Sequence, residues 1–192
     1  MASTKRIGIF IDGSNLYESA KALGFRVDFT KLKEYYKTLG DVTRAVYFTA
    51  LPPKEVVSPL RTFTDYIEYN GYTLIQKETK TYYDPITQET KLKGNMDVEI
   101  AVHSLEVAPY LDNVVLFSGD GDFRCLIESL QRVHGLHCTV VSARSLVADT
   151  LRRQANEFTD LSTIKDKLIH DDTGKPEREA LRNKRFGFLK GD

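Results

Sequence analysis

The stretch "NVVLFSGDGDFRCLIESLQRVHGLHCTVVSA", Asn113 to Ala143, decides the fold. A short apolar run, rich in β-branched residues, stops at two glycines and two aspartates. An amphipathic segment follows to a Gly turn, and then a second β-branched run begins. Apolar runs of that length bounded by turn signals read as buried strands, and the segment between them reads as a helix. A strand–helix–strand unit of this kind calls for a parallel pair with a right-handed crossover.

The same rhythm extends outward in both directions. "RIGIFID" (6–12), "VTRAVYFTAL" (42–51) and "YTLIQK" (72–77) read as further strands. Helical segments are expected at 14–23 with Ser14 or Asn15 as cap, at 30–39 with Thr30 as cap, over 52–70, and at 95–108. In the last of these, Val98, Ala101, Val102 and Leu105 follow the i, i+3, i+4, i+7 pattern of a core-facing stripe. "YYDPITQETKLK" (82–93) breaks the alternation, and Asp84-Pro85 marks the turn of a hairpin. Residues 145–158 read as a helix, with a short closing element at 159–168. The expected fold class is therefore α/β, with helices on a central, mostly parallel sheet of five or six strands.

With 192 residues, one domain is expected over 1–169, followed by a polar tail over 170–192. Lys175, Arg178, Arg182, Lys184, Arg185 and Lys190, set against Glu177 and Glu179, make 175–190 locally basic. Lys plus Arg is 27 and Asp plus Glu is 27, so any basic surface must be local. No apolar run reaches transmembrane length and no secretory leader is legible, so a cytoplasmic protein is expected. Cys125 and Cys138 sit among apolar residues and read as two buried small side chains rather than a disulfide framework. A sheet edge or helix face offers a homodimer, without specifying one.

The acids carry the chemistry. Ligands of open parallel sheets bind beyond the carboxyl ends of the strands, at the topological switch point. Asp12 ends the first strand, Asp120 and Asp122 follow the fourth, and Asp97 lies in the first turn of a helix starting at that rim. Acids gathered in one cleft must either protonate or collect cations. Oxygen-only ligands suit Mg²⁺ or Mn²⁺, and such ions support phosphodiester hydrolysis by an activated water. Each acid also has a plainer reading. Asp-Gly is a common turn, and Asp at a helix start stabilises the helix by about 0.3–1 kcal/mol without any function.

Other motifs fail on particular residues. "GDGDFR" has Arg124 where a dinucleotide fingerprint needs glycine, and there is no Walker A sequence. Phe123-Arg124 breaks an EF-hand loop. The four histidines have no zinc spacing. "FIDGSN" is similar to the nucleophile strand of haloacid-dehalogenase phosphatases, but Ser14 stands where a second acid belongs.

"IFIDGSNLY", "KGNMDVEIAV", "VVLFSGDGDF" and "LRRQANEF", in that order, resemble the NYN domain in its LabA-like (DUF88) branch, within the PIN-like nuclease superfamily. The resemblance runs from about Ile7 to Leu161. It implies a PIN-like three-layer sandwich, a divalent-metal site and ribonuclease activity on RNA. Asp12, Asp97, Asp120 and Asp122 match the family's acids, Asn15 its "DGSN" asparagine, and Ser118 the matching serine, which holds the loop. Two positions depart from the pattern: His103 and Asn156 stand where relatives frequently carry an acid.

Substrate contacts are expected from Ser118, Arg124, Lys91, Lys93 and Tyr82, with Lys77, Lys80, Tyr83, Arg144, Arg152 and Arg153 as further basic or stacking groups. The expected function is a Mg²⁺- or Mn²⁺-dependent ribonuclease acting with a metal-activated water. The alternatives are a regulatory module that binds RNA and metal without turnover, and a phosphatase with an aspartyl-phosphate at Asp12.

Overall fold

The computed structural model describes residues 4–51, 59–83 and 90–170; at 59, 80–83 and 90–93 only the backbone is described. The hairpin turn at Asp84-Pro85, the helical expectation over 52–58, the tail beyond His170, and the side chains of Tyr82, Lys91 and Lys93 lie outside the described residues.

Six strands form one all-parallel sheet: β1 (Arg6–Asp12), β2 (Asp41–Leu51), β3 (Thr73–Glu78), β6 (Asn113–Phe117), β7 (His137–Ser142) and β8 (Glu157–Asp160). The order is β3-β2-β1-β6-β7-β8. A separate antiparallel ribbon pairs β4 (Lys80–Tyr83) with β5 (Thr90–Lys93). The helices are α1 (Gly13–Ala22), α2 (Phe29–Lys37), α3 (Pro59–Tyr69), α4 (Asp97–Val107), α5 (Arg124–His134), α6 (Asp149–Gln154) and α7 (Lys165–Leu168).

Alternation along the strands builds the three layers. Ile7, Ile9 and Ile11 of β1, with Val115 and Phe117 of β6, pack against Leu16, Leu32, Ile67 and Leu168 from α1, α2, α3 and α7. Phe10, Val114 and Leu116 point to the other face, against Ile100, Ile127, Leu130 and Leu151 from α4, α5 and α6. Both faces of the central strands are therefore buried, as their continuous apolar runs require. The chain leaves β1 toward β2 on one side and leaves β6 toward β7 on the other. The switch point is the β1–β6 seam, where Ile11 pairs with Phe117 and leaves Asp12 beside Ser118.

Several local expectations change. Asp12, not Ser14 or Asn15, caps α1, and Asp28, not Thr30, caps α2. In both, an Asp in extended backbone accepts the amides two and three residues on, so the strand's last acid is also the helix's first partner. The stripe expected to face the core on α4 faces outward: Val98 is 71% and Val102 46% exposed. The buried line is instead Met96, Ile100, Ser104 and Ala108, at steps of four. A helix packed over one end of a sheet covers only a narrow strip, and here the strip excludes the more apolar face. The helix expected over 145–158 is shorter, because residues 157–160 leave it to form the edge strand β8. Cys138 is buried, which pushes its thiol up to about 12, whereas Cys125 is exposed. Among the described residues no helix is long and apolar enough to cross a membrane.

Candidate metal centre

Each acid reaches the carboxyl rim by its own route. Asp12 is carried there as the last residue of β1, only 5% exposed. Its Oδ1 accepts the Ser14 and Asn15 amides and the Ser14 hydroxyl, at 3.1, 3.2 and 2.8 Å. Its Oδ2 accepts Asn15 Nδ2 at 2.6 Å and the Ser118 hydroxyl at 3.4 Å. A buried carboxylate so fully engaged is an anchor, and its burial disfavours the aspartyl-phosphate chemistry of a phosphatase.

Asp120 and Asp122 stand on the loop that leaves β6. Asp120 caps the short turn beyond it, accepting the Asp122 amide at 3.0 Å. The loop is held by two neighbours of Asp12. Ser118 accepts the Asp120 amide at 3.2 Å, and Asn15 Oδ1 accepts the Gly119 amide at 3.2 Å. Asn15 thus bridges the two central strands' ends through both halves of its amide. At Gly119 a Cβ would fall on the backbone carbonyl of Leu146, so the loop closes there only with glycine.

Asp97 arrives from the opposite wall, as the first residue of α4. Asn95 holds it twice: Nδ2 donates to Oδ2 at 2.6 Å, and Oδ1 accepts the Asp97 amide at 2.7 Å. Asn95 was not singled out in the sequence, although Asn two residues before an acid at a helix start is a local side-chain-to-backbone signal.

Asp97, Asp120 and Asp122 each present an oxygen, and these oxygens lie within 4.8 Å of one another. Asp12 stands outside that triple but close enough to act on it. The Asp97 carboxyl is raised above its ordinary range, first by burial and then by the charges of Asp120, Asp12 and Asp122, against the lowering hydrogen bond from Asn95. An acid raised by its acidic neighbours lacks compensating charge. A carboxylate-only set this close fits a hard divalent cation, which would remove the repulsion. Beside it lies a cleft of about 280 Å³ lined by Ser14, Asn15, Gly94, Asn95, Met96, Asp97 and Asp120.

The expected substrate groups scatter. Ser118 is 1% exposed and serves the loop from within. Arg124 begins α5 and ion-pairs with Glu128 at 3.3 Å, one turn along its own helix. Lys77 pairs with Glu99 of α4 at 2.8 Å, and Arg152 with Asp149 at 3.1 Å. His103 is half-buried, with its ring centroid 6.0 Å from that of Phe48. Asn156 lies at the far end of the sheet, where Oδ1 accepts the Cys138 amide at 2.8 Å and Gln131 Nε2 at 2.9 Å. It has no part in the acidic rim.

A family model described as the NYN domain matches residues 6–162, which includes every element of the rim. The protein LabA of Synechococcus elongatus is 31% identical over 175 residues, covering 90% of this chain and 91% of that one. A crystal structure of a protein of unknown function from Vibrio parahaemolyticus superposes with a TM-score of 0.73 at 26% identity, covering 88% of this chain and 99% of that chain. The match thus spans the sheet, its switch point and the three acids together, and the chain belongs to the NYN family, as a LabA-like member of the PIN-like nuclease superfamily.

Proposed function

We propose that the chain is a divalent-metal-dependent ribonuclease whose reaction centre is the acidic rim at the β1–β6 seam, within a domain over residues 1–169. The observation that carries this reading is the convergence of Asp97, Asp120 and Asp122 within 4.8 Å. Those three would hold Mg²⁺ or Mn²⁺, with Asp12 beneath them as a fixed charge. When bound, the ion neutralises charge developing on a phosphodiester and lowers the pKa of its water. The chain's own groups do the rest. Asn15 ties Asp12 to the Gly119 amide and so sets the loop that bears Asp120. Asn95 fixes the rotamer of Asp97 and keeps one amide N–H for a ligand in the cleft. The cleft admits a phosphate with its sugar beside the acids, lined by amide and hydroxyl groups suited to hydrogen-bonding both.

The test is cleavage of a labelled single-stranded RNA by the purified chain in Mn²⁺ or Mg²⁺, with EDTA as control. Asp120→Asn is expected to abolish cleavage without unfolding the protein. Equal cleavage by wild type and Asp120→Asn preparations would assign the activity to a contaminant and sink the reading.

A further inference from the structure

The turn between β7 and α6 is bonded to both neighbours of the acidic rim. Ala143, the first residue beyond β7, is fully buried, and its amide donates to the Ser19 hydroxyl of α1 at 3.3 Å. The Leu146 amide donates back to the Ala143 carbonyl at 2.9 Å, which closes a β-turn with Arg144 and Ser145 at its exposed tip. On the other side, the Leu146 carbonyl stands where a Cβ on Gly119 would fall, and the Ala148 amide donates to the Gly119 carbonyl at 2.9 Å. A Cβ on Gly121 would sit 3.1 Å from the Ala148 methyl. Arg144 therefore stands on a turn fixed against α1 and against the two glycines that flank Asp120. Its Cα lies within about 7 Å of that of Leu146, the residue that touches Gly119.

The charges around this turn single Arg144 out. Lys77, near the carboxyl end of β3, is held by Glu99, Arg124 by Glu128 and Arg152 by Asp149. Arg144 forms no ion pair among the described residues. An exposed guanidinium without an acidic partner contributes little to the fold. Its planar fork matches phosphate oxygens, which it can hold through two parallel bonds. A phosphodiester strand that meets uncompensated carboxylates is repelled, and a cation on a fixed turn beside them offsets that repulsion. In the strand order the cleft lies on the β1 side of the β6 loop and the turn on its β7 side, so a strand leaving the cleft across Asp120 arrives at Arg144.

We propose that Arg144 holds a phosphate of single-stranded RNA that flanks the one lying over the acids, on a path from the cleft across Asp120 to the β7–α6 turn. The proposal rests on the reading of the chain as an RNA-acting protein. The held phosphate does not react, so Arg144 contributes binding and register rather than chemistry.

The test measures fluorescence anisotropy of a labelled oligouridine, about a dozen nucleotides long, with the full chain in EDTA, so that cleavage plays no part. Arg144→Ala is expected to lower the slope of log affinity against log salt by about 0.7. It is expected to weaken binding by roughly tenfold or more, as the loss of a charged hydrogen-bonding partner does. Arg144→Lys restores the slope and only part of the affinity, because an ammonium keeps the charge and loses the fork. Arg132→Ala, on the last turn of α5 at the opposite end of the sheet, leaves binding intact. An unchanged slope and affinity in Arg144→Ala, or an equal loss in Arg132→Ala, overturns the proposal. Steady-state cleavage in Mn²⁺ gives a second reading: Arg144→Ala should raise KM and leave kcat unchanged, the mark of a uniform binding contact. Binding that depends on Arg144 with no cleavage in Mn²⁺ would support this contact while sinking the ribonuclease reading. Cleavage whose KM ignores Arg144→Ala would sink the contact alone.

Discussion

The two ends of the β1–β6 pair treat the same side chain in opposite ways. At the base, Arg6 donates to both oxygens of Asp112, at 2.8 Å from the far guanidinium nitrogen and 3.0 Å from Nε, and its backbone amide adds a third bond at 2.8 Å. The Asp112 carboxyl falls to about 2, chiefly through those side-chain bonds. At the rim, roughly 20 Å along the strands, Asp97 is raised by burial and by three neighbouring acids. An acid that serves the fold comes with its cation built in. An acid raised by its acidic neighbours leaves its compensation to a ligand.

The contrast breaks first at Asp120. Asp120→Asn should lower metal-dependent cleavage by at least roughly a hundredfold. Removing one of several repelling charges should leave the metal-free melting temperature unchanged or higher. A large fall in thermal stability would mean that the rim acids are structural, like Asp112. Calorimetry in EDTA and in Mn²⁺ also separates the ends. Wild type should melt higher with metal, by up to about 2.7 kcal/mol when the ion is at a hundred times its dissociation constant, and Asp120→Asn should not respond.

Asn15→Ala should keep the fold while weakening metal affinity or cleavage by about 10- to 100-fold, because the amide joins Asp12 to the Gly119 amide. Metal titration by isothermal calorimetry reads this directly. Gly119→Ala tests the loop's closure. Its Cβ would fall on the Leu146 carbonyl, backbone that cannot rotate away, and the expected loss is about 1–3 kcal/mol by urea unfolding.

The smallest effect belongs to the base. Asp112→Asn removes an ion pair whose partners are 45% and 41% exposed, and such pairs contribute little. Its sign with pH is nevertheless definite. The Arg6 guanidinium holds the folded carboxyl below the ordinary aspartate range, so its stabilisation is present above that range and disappears as pH falls toward about 2. Asp97 has the opposite sign: its repulsion is present at neutral pH and is relieved as the group protonates. Stability curves of Asp112→Asn and Asp97→Asn against wild type should therefore diverge in opposite directions as pH rises from 3 to 7.

The legibility of the fold was uneven for physical reasons. Continuous apolar runs such as "NVVLF" announced strands buried on both faces, and the acids after them announced the rim. Period alone misplaced the face of α4, because Val98, Val102 and Leu105 satisfy a helical stripe as well as Met96, Ile100 and Ser104 do. Which strip is covered depends on the sheet beneath it. The cap residues were misplaced by two or three positions for a related reason: Asp12 and Asp28 precede their helices and accept the amides of the expected caps.

The sequence by itself determined the parallel α/β architecture, the chain order of its acids and the family, since all three follow from short-range pattern and spacing. Only the tertiary structure decided which acids meet. Asp97, Asp120 and Asp122 converge because α4 and the β6 loop are brought to one rim. Asp12, though nearer the centre of the sheet, turns its oxygens to the α1 amides, Asn15 and Ser118. Hydrogen-bond capacity is used by whatever lies within about 3 Å, and that neighbourhood is assembled by long-range packing.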